Sequence, residues 1–125
     1  MIALAAILAA IAVPQSLLND GDAANLALTQ CGFAAERSAH AAGLSVSAFE
    51  QKLARDCAAE ERRLRATSVR IFRARGSANP AAEAEDMIRA EREAMVEAYR
   101  KLPEHERLLK EMERMCRENP GACKN

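Results

Sequence analysis

The chain has 125 residues, enough for one domain, and its composition favours helix, with 28 Ala, one Tyr and no Trp. Its 18 Lys and Arg residues are balanced by 18 Asp and Glu residues. This balance argues against a dedicated nucleic-acid binder, because affinity for phosphate depends on an excess of clustered cations.

The N-terminal residues 2–13 form an unbroken apolar run. As a helix the run would extend about 18 Å, too short for the roughly 30 Å core of a bilayer but suited to a signal peptide. Ala10 and Ala12 provide a cleavage pattern, so we predict a signal peptide over residues 1–12, removed near Val13. No Lys or Arg precedes the run, so either the free amino group supplies the positive charge or translation starts upstream. The mature chain is then periplasmic or secreted in a bacterium, without a transmembrane span.

The mature part is predicted to contain a leader over residues 13–21 and one helical domain over residues 22–125. Asp20 or Asp22 can cap the first helix. Gly43 is placed to end it, because glycine readily adopts the left-handed conformation that follows many helices.

The second helix begins at Ser45 or Ser47, both favourable N-cap residues, and continues to about Arg75. The sequence does not decide between the two serines. Apolar side chains recur along this helix at steps of four and seven, which predicts one buried stripe consisting of Phe49, Leu53, Cys57, Leu64 and Ile71.

Two further helices are expected. Asn79 and Pro80 are suited to cap and open the third, which runs to about Leu102. Pro103 either kinks the chain or begins a fourth helix. Such a helix would carry five residues on one face: Leu108, Leu109, Met112, Met115 and Cys116.

All four cysteines lie in the mature part. In an oxidising compartment they predict two disulfides, for which three pairings exist. If the first two helices pack antiparallel around Leu44, Cys31 and Cys57 face each other, because each is thirteen residues from Leu44. The pairing Cys31–Cys57 then leaves Cys116–Cys123 as a local clasp. The predicted fold is a disulfide-stapled antiparallel helical hairpin, extended to an all-α arrangement of three or four helices.

Six arginines occur between residues 62 and 75 with no acidic residue among them: Arg62, Arg63, Arg65, Arg70, Arg73 and Arg75. One hypothesis is a patch that binds an anionic partner such as lipid or lipopolysaccharide. The favoured interpretation is compensation by the acidic start of the third helix. Reflection of the chain about Ala78 gives the expected pairs Arg73–Glu83, Arg70–Asp86 and Arg65–Glu91.

No catalytic, cofactor or metal site is predicted. His105 begins a sequence similar to the zinc-binding H-E-x-x-H motif, but Leu109 stands where the second histidine would be. His40 has no nucleophile at a suitable spacing. The adjacent Glu60 and Glu61 point about 100° apart on a helix, so they are expected to be solvated separately.

The segment Tyr99-Arg100-Lys101-Leu102, followed by a helix that ends in Cys116, resembles the C-terminal part of small helical proteins that include lysozyme-inhibitor-like domains. The spacing from Cys31 to Cys57 departs from that family, and the aromatic residue expected before the last cysteine is missing. The resemblance implies lysozyme inhibition as one alternative function.

The expected function is non-enzymatic. We predict an envelope module that binds another protein or a surface around residues 62–75, with no cofactor. The alternative is a stress protein that binds anionic lipid through the arginines, or a soft metal such as copper through Met112 and Met115. Neither the partner nor the oligomeric state follows from the sequence.

Overall fold

The computed structural model describes residues 12–124. Over this range it contains five α-helices and one 3₁₀ turn, which confirms the all-α prediction. The predicted signal peptide lies outside the described residues, except for Ala12. The elements are α1 Gln15–Ala41, α2 Val46–Asp56, α3 Ala58–Ala74, α4 Pro80–Arg100, α5 Leu102–Glu118 and the 3₁₀ turn Pro120–Cys123.

Helix α1 begins earlier than predicted, at Gln15 after the N-cap residue Pro14 rather than after Asp20 or Asp22. Most of the expected leader is therefore helical. The additional turns pack against α3, since Leu17 is buried and a Cβ atom on Gly21 would lie only 2.8 Å from Cδ1 of Ile71. The tertiary contact thus stabilises a helical conformation in the predicted leader, where the capping pattern did not indicate a helix.

The turn between α1 and α2 forms as predicted. Gly43 has a φ of 65°, the left-handed conformation that glycine adopts without a steric cost. Of the two candidate serines, Ser45 is the N-cap residue, and its Oγ accepts a hydrogen bond of 3.1 Å from the backbone N–H of Ala48.

The predicted second helix is divided into α2 and α3 at Cys57, whose φ of −108° and ψ of 17° are not helical. The hydrogen bonds on both sides nevertheless keep helical spacing. The Cys57 N–H donates to the Leu53 carbonyl and the Cys57 carbonyl accepts from the Glu61 N–H, both at 3.0 Å. The interruption is therefore a local distortion at one residue, and α2 and α3 together form the second arm of the hairpin.

A disulfide between Cys31 and Cys57 joins the two arms, with their Cα atoms 5.8 Å apart. This bond confirms the alignment about Leu44. Small residues of α1 and large residues of the second arm form the core between them: Ala24, Ala35, Ala39, Phe49, Leu53 and Leu64. Ile71, predicted at the end of the buried stripe, is only half-buried.

Helix α4 closes the core. Asn79 caps it as predicted, and its side chain accepts a hydrogen bond of 3.3 Å from the Ala82 N–H. Near the other end, the Tyr99 ring stacks on Phe49 with centroids 4.2 Å apart, and the Tyr99 hydroxyl donates to the Leu44 carbonyl. These contacts fix α4 to the hairpin turn and position the start of α5 beside it.

Candidate interaction surfaces

Helix α5 carries four of the six exposed large hydrophobic side chains among residues 12–124, and none of its own residues is buried. We call the surface that these four side chains form the α5 apolar face. The exposed fractions of its four large side chains are 46%, 58%, 59% and 54%, for Leu108, Leu109, Met112 and Met115 in that order. The sequence predicted these side chains on one face of a helix. The structure adds that no other described element covers them.

Both ends of α5 are held in place. At the N-terminal end, Leu102 packs against the core, and Nε2 of His40 contacts the Glu106 carboxylate. At the C-terminal end, the predicted disulfide Cys116–Cys123 forms, with its Cα atoms 5.6 Å apart. The disulfide ties the 3₁₀ turn to the helix, so the α5 apolar face lies on a segment that is ordered at both ends.

The same disulfide bears on copper binding. Cys116 lies on the side of α5 that carries Met112 and Met115, but a cysteine in a disulfide presents no thiolate to a metal. Two thioethers and the exposed His105 would remain as soft or borderline ligands.

One arginine of the 62–75 segment is neutralised by a carboxylate, and the others are exposed without one. The Arg65 guanidinium forms an ion pair with Glu85 of α4. The other five are exposed and, within residues 12–124, have no carboxylate oxygen within 4.0 Å: Arg62, Arg63, Arg70, Arg73 and Arg75.

Four of these exposed arginines form one surface, which we call the arginine face: Arg62, Arg63, Arg70 and Arg73. At 100° per residue they fall within an arc of about 100°, on the side of α3 opposite the buried Leu64. Arg75 lies apart, at the end of α3. The structure therefore brings together four of the six predicted arginines.

The three predicted compensating pairs are wrong. Glu83 accepts a hydrogen bond of 2.7 Å from Ser77, Asp86 pairs with Arg89 of its own helix at 3.3 Å, and Glu91 does not pair with Arg65. The observed cross-helix pairs place the centre of the α3–α4 hairpin near Gly76, not Ala78. Gly76 has a φ of 82°, a conformation that allows the chain to turn directly after α3.

Glu61 and Arg92 form a buried ion pair that the sequence interpretation missed. The guanidinium donates to the carboxylate through Nε at 3.0 Å and through Nη2 at 2.9 and 2.6 Å. Only 9% of the Glu61 side chain is exposed, compared with 35% for Arg92. The hydrogen bonds to Glu61 raise the pKa of Arg92. The expectation that Glu61 is solvated is therefore wrong.

A signal for this pair was present in the sequence. Glu61 lies four residues after Cys57 and three before Leu64, which places it on the buried stripe of the second arm. A carboxylate at such a position requires a cationic or hydrogen-bonding partner. The sequence could therefore have indicated a buried acid, although not which arginine neutralises it.

Glu60 is half-buried beside the core disulfide, so it too differs from the solvated residue expected. A carboxylate oxygen of Glu60 and the sulfur atoms of Cys31 and Cys57 lie within 4.8 Å of one another. The two sulfur atoms are bonded together, however, and offer no thiolate. This cluster therefore does not have the donor set of a thiolate metal site.

A groove of about 260 Å³ lies where α1, α3 and α4 meet, and Arg75 is among its lining residues. The lining is mainly apolar, with Leu18, Ile71 and Met87 beside three charged residues, Asp22, Arg75 and Glu91. No histidine or cysteine lines it. The groove therefore has a mainly apolar concave surface with few charges, and its lining has neither of these common catalytic residues.

None of the helices described over residues 12–124 combines the length and apolarity needed to cross a bilayer. Comparisons of the chain with protein-family models, with curated proteins and with solved structures give no significant match. The likeness of the segment from Tyr99 to Cys116 to lysozyme-inhibitor-like domains receives no support from them. The surface chemistry is therefore the basis on which a function can be proposed.

Proposed function

We propose that this protein is a non-enzymatic interaction module of an oxidising compartment outside the cytoplasm, and that it docks a partner on the α5 apolar face. The observation that carries the proposal is the exposure of four large apolar side chains on one helix. Contiguous apolar surface of this kind is unfavourable in water and commonly marks a binding site. An amphipathic helix that lacks a cover can be completed by a groove or helix of another protein.

The attachment of α5 supports this proposal. A helix of 17 residues is only marginally stable in isolation. Here the contact of His40 with Glu106 and the Cys116–Cys123 bond restrain its two ends. A surface ordered in advance loses less conformational entropy when a partner binds, so more of the gain from apolar burial appears as affinity.

The state of the cysteine side chains supports both the proposed oxidising compartment and the proposed non-enzymatic role. All four cysteines are in disulfides, which favours an oxidising environment and agrees with the apolar run over residues 2–13. The same bonds leave no thiolate, the strongest side-chain nucleophile, among residues 12–124. These features support a binding role over an enzymatic one.

Photo-crosslinking of the exported, oxidised protein tests the proposal. A photoreactive amino acid at Met112 should crosslink to one protein in a constant ratio, because this position is at the centre of the α5 apolar face. The matched control carries the same group at Lys110, on the opposite side of α5. Equal crosslinking from both positions, or none from Met112, would contradict a docking role for this face.

A second candidate is the binding of an anionic surface through the arginine face, whose guanidinium groups have no carboxylate within 4.0 Å among residues 12–124. The exported protein should bind vesicles that contain phosphatidylglycerol but not vesicles of phosphatidylcholine alone. Binding should weaken several-fold between low and moderate salt, because exposed charges are screened. Arg62→Glu combined with Arg70→Glu should abolish it, whereas substitution of Arg114 on α5 should not. Binding that is indifferent to salt would rule out this candidate.

A further inference from the structure

The first charged side chains on each edge of the α5 apolar face are glutamates. At 100° per residue, the arc from Met115 to Leu109, which also includes the exposed His105, is followed on each edge first by glutamates. One edge carries Glu104, Glu111 and Glu118, and the other carries Glu106 and Glu113. Three cations of α5 lie on the opposite side: Arg107, Lys110 and Arg114. Arg117 follows Glu106 around the helix and lines the surface beside Leu109 and Met112.

Some of these glutamates have partners within the protein. Arg114 lies 3.0 Å from Glu118 and 3.9 Å from Glu111, and His40 contacts Glu106. Glu104 and Glu113 are exposed, and no cation lies within 4.0 Å of either among residues 12–124. Each edge of the apolar face therefore retains one glutamate that is free to pair with a bound molecule.

We infer that the partner of the α5 apolar face is an amphipathic helix whose apolar stripe is bordered by lysines or arginines. This inference rests on the proposed function, since it names the chemistry of the partner for the same surface. Charges that flank an apolar helix interface select the partner, because opposite charges attract across the rim and like charges repel. Glu104 and Glu113 would pair with cations on opposite edges of the partner's stripe. These two pairs would set the register of the partner helix along α5.

The same arrangement disfavours two other occupants. In a pair of α5 helices from two copies, an edge of glutamates meets an edge of glutamates in either orientation, and such like-charge contacts oppose association. An anionic membrane would face the acidic edges, whereas helices that lie on such membranes carry Lys and Arg on the polar face beside the lipid. On α5 three of the four cations, Arg107, Lys110 and Arg114, point away from the apolar face.

Two synthetic helical peptides with one apolar stripe provide the test. One carries lysines at the positions that border the stripe, and the other carries glutamates there. We expect the oxidised protein at low salt to bind the lysine peptide at least about tenfold more tightly, as measured by fluorescence anisotropy. Glu104→Lys combined with Glu113→Lys should reverse this preference.

The matched control is Asp20→Lys with Glu93→Lys, which makes the same change in net charge at exposed positions of α1 and α4 and should leave the preference intact. If the wild-type protein instead binds both peptides with equal affinity, and Met112→Asp abolishes both interactions, the result would overturn the selection by charge. It would still support the proposed docking face. Binding of neither peptide overturns the inferred partner, and crosslinking from Met112 then decides on the docking face separately. Dimers in sedimentation that Met112→Asp dissociates would make a second copy the occupant and overturn the inference.

Discussion

Removal of the Cys31–Cys57 disulfide should lower the free energy of unfolding by at least about 3.5 kcal/mol. The bond closes a loop with a sequence separation of 26, and in the chain-entropy model such a closure stabilises the folded state by about 3.5 kcal/mol. Cys57 is also fully buried in the core, so alanine at this position leaves a small cavity. Thermal unfolding of Cys31→Ala/Cys57→Ala, followed by circular dichroism, should show a midpoint lower by roughly 15 °C.

The second disulfide provides the matched control. Cys116–Cys123 closes a shorter loop, with a sequence separation of 7, at the end of a helix that contributes no buried residue. Its loss should increase hydrogen exchange in the last turn of α5 and the following 3₁₀ turn, without moving the main unfolding transition. An equal midpoint for the wild type and Cys31→Ala/Cys57→Ala would show that packing alone maintains the hairpin.

Arg92→Ala should be the most damaging substitution of a charged residue, at about 2–3 kcal/mol. It removes three hydrogen bonds from Glu61 and leaves a carboxylate with little access to water inside the α3–α4 interface. Breaking a fully buried pair in this way costs about 3–5 kcal/mol. We expect less here because a third of the Arg92 side chain reaches solvent, where its charge is screened.

The partner substitution separates the loss of attraction from the cost of an isolated charge. Glu61→Leu fills the buried position with an apolar side chain and frees Arg92 to turn toward water, so it should cost about 1 kcal/mol or less. The double variant Glu61→Leu/Arg92→Ala should then be more stable than Arg92→Ala alone in urea denaturation. Equal losses for the two single variants would contradict this asymmetry.

Local features of the sequence determined most of the helices and the core disulfide. Gly43 and Asn79 form the predicted turn and cap, which depend on neighbouring residues only. The choice of Ser45 over Ser47 as the N-cap came from the structure. The equal distances of Cys31 and Cys57 from Leu44 determined their pairing, since two antiparallel helices joined by a short turn have one register near that turn.

Tertiary contacts decided those features for which packing between distant segments outweighs the local conformational preference of the sequence. The first turns of α1 are helical and pack on α3 through Gly21, which lies beside Ile71, although acidic caps stand later in the chain. The cross-helix pairs Arg65–Glu85 and Glu61–Arg92 centre the α3–α4 register near Gly76. The arginine face lies on another side of α3 and therefore lacks the predicted partners.

The α5 apolar face shows the same division between local and global information. Periodicity was enough to place Leu108, Leu109, Met112 and Met115 on one side of a helix. Whether that side is covered depends on the direction in which α5 leaves α4, which the packing of Tyr99 and Leu102 sets. A stripe that periodicity alone would assign to a core is therefore exposed, because no other described element reaches it.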